Sequence, residues 1–108
     1  MEDCVFCKIV RGEIPAQVVL ETENVLVFKD INPQAPVHLL AIPKQHVERL
    51  EELSGLAGQL VSAASRAAAD QGLENYRLVL NMGKDAGQEV PHLHFHIIGG
   101  RKMSWPPG

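Results

Sequence analysis

The sequence predicts an α+β fold, a five-stranded, mainly antiparallel sheet with two helices. Five short segments, 18–22, 24–30, 37–43, 76–81 and 92–99, carry strand-like apolar runs or apolar–polar alternation. Two segments, 5–11 and 54–72, carry apolar residues at helical spacing. Most connections between strands are too short for the crossover that a parallel pair needs, which predicts antiparallel neighbours with the helices on one side of the sheet. At 108 residues the chain suits a single domain, 1–108, built on one core.

The elements follow in order. Phe6 and Ile9 sit on one face of the first helix, and Gly12 ends it. After Ile14-Pro15, VVLET and NVLVFKD form two strands that turn around Glu23. The two prolines of INPQAP impose an irregular connection, VHLLAIP is the third strand, and Pro43 stops it. Residues 47–52 have the length of a single helical turn. The second helix starts at Ser54 as N-cap, carries the stripe Leu56, Leu60, Ala63 or Ala64, and Ala67, and stops at Gly72 in the C′ position. Its many alanines predict close packing against another surface. YRLVLN is the fourth strand, GKDAGQEV a glycine-containing loop, and HLHFHIIG the fifth strand.

The composition excludes several function classes. A formal net charge of −3 without a basic block argues against binding a nucleic-acid backbone. No apolar run approaches the length that crosses a bilayer. The start MEDCVFCKIVRGE has no long apolar stretch, so a cytoplasmic location is expected, where thiols stay reduced. In that setting the C-V-F-C spacing of Cys4 and Cys7, the only two cysteines, points to half of a metal site or a redox pair rather than a structural disulfide. Two small buried side chains without a function are the plainer alternative.

The stretch PHLHFHIIGG holds three of the five histidines. Strand alternation places His92, His94 and His96 on one face and sends Leu93, Phe95 and Ile97 toward the core. A solvated face can hold one histidine by chance; three in register point to chemistry. One chemistry is a zinc centre with imidazole ligands. The other is phosphoryl or nucleotidyl transfer, with one imidazole attacking phosphorus while its neighbours bind the phosphate oxygens. The loop Gly87-Gln88-Glu89 favours transfer, because its backbone N–H groups can approach an anion. His38 alternates with the same side of its strand as Leu40 and Ile42, so it can face a site across the sheet; an edge histidine in solvent is the alternative.

G-Q-x-V followed by His-apolar-His-apolar-His-apolar-apolar resembles the signature of the histidine triad (HIT) superfamily. FCKIVRGEIPA, FKDINPQAPVHLLAIPKQH and GGRKMSWPPG resemble its Hint branch, the histidine triad nucleotide-binding proteins, over residues 4–108. The resemblance implies a purine nucleoside phosphoramidase that cleaves the P–N bond of AMP–amine or GMP–amine conjugates through a nucleotidyl-histidine intermediate. On that resemblance His94 is the nucleophile, His96 contacts the phosphate, and His92 and His38 support the nucleophile from beside it. Asn81, Gly87 and Glu89 fall on the phosphate side, and Asp30 on the ribose. Phe6, Ile9, Phe28 and Ile31 match the base pocket, although on pattern alone they are equally core residues, and Asp30 equally a turn aspartate. Glu89 departs from the serine that several animal members carry there, and a carboxylate does not reproduce the hydroxyl's hydrogen bond.

The resemblance also implies a structural zinc site formed by Cys4, Cys7, His46 and His92, with no catalytic metal. It implies a homodimer whose sheet continues across the two-fold axis to ten strands, with the 104–108 tail and its Trp105 reaching the partner's site. Residues 1–3 are expected to be disordered. No membrane or nucleic-acid partner is implied. Three rival readings stand beside the phosphoramidase: a dinucleoside polyphosphate hydrolase, a nucleotide-binding adaptor with incidental turnover, and a zinc hydrolase built on His92, His94 and His96.

Overall fold

The structure is a computed structural model that describes residues 3–108. The expectation for residues 1–3 therefore falls mainly on two residues outside the described ones; Asp3 lies in an exposed turn. Helix α1 (Val5–Val10) leads into the hairpin β1 (Val18–Glu21) and β2 (Val25–Lys29), then β3 (Val37–Pro43). A short 3₁₀ turn at Leu50–Glu52 precedes helix α2 (Ala57–Asp70), β4 (Tyr76–Leu80), a second 3₁₀ turn at Lys84–Ala86 and β5 (Phe95–Gly99). The five strands form one sheet in the order β1-β2-β3-β5-β4, and every neighbouring pair is antiparallel. β4 is an edge strand, with one side of its backbone unpaired within the chain.

Alternation along β2 divides the interior into two layers. Val25 and Val27 join Leu39, Ala41, Leu93, Ile97 and the alanine stripe of α2. Leu26 and Phe28 join Leu40, Ile42 and, from α1, Phe6 and Cys7. The two helices thus cover opposite faces of the sheet, which corrects the expectation that they share one. The reason is that β2 and β3 are apolar at nearly every position, so both faces of the central sheet need covering. On α2 the buried residues are Leu60, Ala63, Ala64, Ala67 and Ala68, and their small side chains let the helix lie close on the sheet.

Two boundaries differ from expectation. Ser54 does not cap α2; the cap position is Leu56, without a side-chain hydrogen bond. Gly55 has φ +76, a left-handed turn that takes Ser54 off the helical path. The fifth strand joins the ladder only at Phe95. The N–H groups of His92 and Leu93 go instead to the carbonyls of Val90 and Val47. Gly72, with φ +78, ends α2 as expected. Among the described residues no helix is long and apolar enough to cross a membrane.

Candidate functional site

Strand register assembles one cluster. Phe28 pairs with Leu40, and Leu40 with His96, so these side chains share a face. Two residues from Leu40, His38 is on that face as well, and Asp30, whose N–H donates to the His38 carbonyl at 3.0 Å, lies directly opposite it. The ligand atoms of Asp30, His38 and His96 all fall within 4.8 Å of one another. His38 Nε2 is 2.8 Å from His96 Nδ1 and 3.3 Å from Asp30 Oδ2.

The hydrogen-bond partners determine where the protons are. Gln34 donates its backbone N–H to His38 Nδ1 at 3.0 Å, so that nitrogen holds a lone pair and the proton of the neutral ring is on Nε2. That proton points at His96 Nδ1, which must accept, and the His96 proton is left on Nε2. Burial is the main cause that pushes His96 down to about 4 and lowers His38 as well, and in His96 the neighbouring imidazoles add to it. Both rings are neutral at pH 7.

His94, 6% exposed, donates Nδ1–H to the carbonyl of His92 at 2.8 Å. Its Nε2 consequently carries a free lone pair. The ring is held by the edge of Phe6 at 5.1 Å between centroids, and His96 lies 5.0 Å away. Phe6 also packs on His92 and Phe28, at 5.7 and 5.8 Å. Phe6 and Phe28 are buried and Ile9 packs beside them, whereas Ile31 is 98% exposed and stands apart. Asn81, just past β4, directs its amide at the Gly87 carbonyl at 3.5 Å. Gly87 has φ +98, a conformation costly for other residues, and faces that amide closely. Glu89 is exposed on the same loop.

A second cluster lies on the α1 side. Cys4 Sγ is 3.3 Å from His92 Nδ1, and Cys7 Sγ is 3.2 Å from His46 Nδ1 and 3.5 Å from His92 Nδ1. A tetrahedral ion with sulfur at about 2.3 Å and nitrogen at about 2.0–2.1 Å has S–N edges of about 3.6 Å, close to these separations. His92 donates Nε2–H to the Pro43 carbonyl at 2.8 Å, and His46 Nε2 faces Glu48 Oε2 at 3.3 Å. Both Nδ1 lone pairs are therefore free to converge with the two sulfurs, and the donor set fits a closed metal site. Burial and the adjacent Cys4 raise the Cys7 thiol to about 11, so a cation that binds there must displace its proton.

Three contributions escape sequence reasoning: the Gln34 N–H, the Glu48 carboxylate and the side chain of Gln88, a residue read only for its backbone N–H. Gln88 Oε1 accepts the Gly83 N–H at 2.9 Å, and its amide donates to the Glu48 carbonyl at 3.0 Å, tying the glycine loop to the segment that follows His46. Its place in the G-Q pair was the one available signal. A cavity of about 140 Å³ opens beside Asp30 and His38. The larger hollow, about 880 Å³, lies away from the histidines between residues 72–77 and 100–103, lined by Tyr76, Arg77 and Arg101.

A family model described as the HIT domain matches residues 11–103. The chain is 52% identical over 112 residues to an uncharacterized HIT-like protein of Synechocystis, covering 99% of this chain and 98% of that protein. It is 47% identical over 115 residues to a 14 kDa zinc-binding protein of Zea mays, covering 96% and 87%. The crystal structure of a HIT family hydrolase from Legionella pneumophila superposes with a TM-score of 0.93 at 49% identity, covering 98% of this chain and all of that one (100%).

Proposed function

The chain belongs to the HIT domain family, and on that premise we propose that it is a purine nucleoside phosphoramidase acting through a nucleotidyl-histidine intermediate. The observation that carries this reading is the His94 tautomer. With Nδ1–H donated to the His92 carbonyl, Nε2 presents its lone pair as a nucleophile without a prior proton transfer. Attack on phosphorus forms an N–P bond to His94 and breaks the P–N bond of the substrate. His96, with its proton on Nε2, donates to a phosphate oxygen as charge develops, and Asn81 adds an amide donor. The leaving amine takes a proton from solvent relayed through the neighbouring imidazoles, and water then attacks phosphorus, forming a P–O bond as the His94–P bond breaks, which releases the nucleotide and returns a proton to solvent. Asp30 receives the ribose hydroxyls, and the Phe6–Phe28 side receives the base.

A zinc ion at Cys4, Cys7, His46 and His92 has a structural role in this reading, cross-linking α1 to the chain ahead of β5 and adding folding energy. The fit of the four donors supports it. His38 argues against a metal at the other cluster: its Nε2 offers a proton where a metal needs a lone pair. A homodimer formed along the free edge of β4 accounts for that unpaired strand and brings the exposed Trp105 tail toward the partner.

The test compares turnover of adenosine and guanosine phosphoramidates with that of a diadenosine polyphosphate, and acid-quenches the enzyme during turnover. Phosphoramidates should be preferred, with nucleotide in an acid-labile bond to one histidine. Preference for the polyphosphate would make the protein a dinucleoside polyphosphate hydrolase, and binding without turnover would leave the adaptor reading.

A further inference from the structure

Gln88 closes a ring on Gly83 and anchors that ring to the body of the protein. Its Oε1 accepts the Gly83 N–H at 2.9 Å, and its own N–H donates to the Gly83 carbonyl at 3.1 Å. Its side-chain amide leaves the loop and donates to the Glu48 carbonyl at 3.0 Å. The anchor is firm: the carbonyl of buried Val47 accepts the Leu93 N–H at 2.6 Å, and the Glu48 N–H donates to Glu52 Oε1 at 2.9 Å. The loop by itself is not. Gly83 and Gly87 have φ +90 and +98, and Lys84, Asp85 and Ala86 between them are exposed. Yet the loop borders the histidines. Leu80 pairs with Phe95, and the residues adjoining that pair are Asn81 after β4 and His94 before β5. The Asn81 amide turns to the Gly87 carbonyl at 3.5 Å, and a Cβ on Gly87 would come within 3.4 Å of that amide, so the path of Gly87 sets the direction of Asn81.

We propose that the Gln88 side chain is a positioning residue that holds the glycine loop, and through Gly87 the Asn81 amide, in place for a phosphate, and so sets how strongly the protein distinguishes a nucleotide from its nucleoside. The role rests on the nucleotide reading of the site. Both ends of the carboxamide are used: Oε1 fixes the start of the loop, and the amide nitrogen fixes the loop to the chain that follows His46. Without them the two glycines let the loop follow other paths. Ordering it then falls on the binding step, and a bound phosphate meets a donor that is only partly set. Among the described residues Gln88 makes no hydrogen bond to Asp30, Phe6 or Phe28, so its effect is confined to the phosphate side.

The test measures calorimetric affinity for AMP and for adenosine in wild type and in Gln88→Met, which keeps the length of the side chain and removes its carboxamide. AMP affinity should fall about fivefold, the factor that one neutral hydrogen bond supplies, while adenosine affinity stays within about twofold. A merely structural contribution would lower Tm and leave the ratio of the two affinities alone. An equal loss for both ligands, or unchanged AMP affinity, overturns the role. Wild type supplies a second readout that does not depend on the variant folding. Binding and ordering are reciprocal, so AMP should slow hydrogen exchange at the Gly83 N–H and the Gln88 side-chain amide, and adenosine should not. Exchange rates that respond equally to the two ligands overturn the role. If no phosphoramidate turns over but the AMP-to-adenosine ratio falls in Gln88→Met, the phosphoramidase reading fails and the role of Gln88 stands. If AMP does not bind wild type, both fail.

Discussion

His92 and His96 are four residues apart, yet their rings serve clusters with opposite proton arrangements. At the Cys4, Cys7, His46 and His92 cluster, oxygen acceptors outside it (the Pro43 carbonyl and Glu48) take the Nε2 protons, and Nδ1 lone pairs converge with sulfur. At the Asp30, His38 and His96 cluster a peptide N–H fills the outer nitrogen of His38, and a proton points inward. The same side chain presents a lone pair in one setting and a proton in the other, and its partner on the far ring nitrogen makes the difference. His94 stands between them. Its tautomer depends on the carbonyl of His92, the residue whose ring belongs to the cysteine cluster.

The harshest break of this contrast is His94→Ala. On the phosphoramidase reading, loss of the nucleophile should reduce phosphoramidate turnover by about 10⁴-fold or more, while calorimetric AMP binding stays within a few-fold, because that reading places the base and ribose contacts elsewhere. His96→Ala removes a donor and spares the covalent step, so its loss should be nearer about 10²-fold. Near-normal turnover of His94→Ala would move the chemistry elsewhere.

Breaking the other cluster should affect folding before chemistry. Protein purified without chelator should carry one equivalent of zinc, measured by elemental analysis. Cys4→Ser should cost at least about 2 kcal/mol, roughly 10 °C in Tm by calorimetry, and should impair kcat less than His94→Ala does. A zinc-free wild type, or a Cys4→Ser protein with unchanged Tm, would remove the metal from the Cys4, Cys7, His46 and His92 cluster.

The gentlest probe is pH. The folded pKa of His96, about 4, lies below its ordinary value of 6.5, so the unfolded chain takes up a proton in that interval that the folded chain refuses. This contribution to stability is complete above about 6.5 and is lost as pH falls toward 4. His38 and His92, also lowered mainly by burial, act in the same direction. NMR titration of the His96 ring should give a midpoint near 4, and Asp30→Asn should move it lower, because the carboxylate charge favours the imidazolium. A midpoint near 6.5 would mean that the Asp30, His38 and His96 cluster is wetter than its geometry implies.

Local pattern was enough to locate the third strand at 37–43, the stop of α2 at Gly72, and the alternation that sends Leu93, Phe95 and Ile97 into the core away from the histidines. Periodicity, glycine stereochemistry and the two-residue repeat of a strand act over a few residues, so a short window reveals them. The four metal-site donors and the His94 assignment came from resemblance to a family rather than from pattern. The structure brings those donors together from positions 4, 7, 46 and 92. The side of the sheet that α1 covers was not legible, since β2 and β3 are apolar on both faces and either would accept it. Gly55 likewise hid the true start of α2, because the left-handed turn it makes depends on how the chain enters the helix. Which nitrogen of each histidine holds its proton was beyond any sequence pattern. That choice rests on the Pro43 carbonyl, the Glu48 carboxylate and the Gln34 N–H, polar groups whose approach within 3.3 Å of a ring nitrogen is decided only when the strands and loops pack.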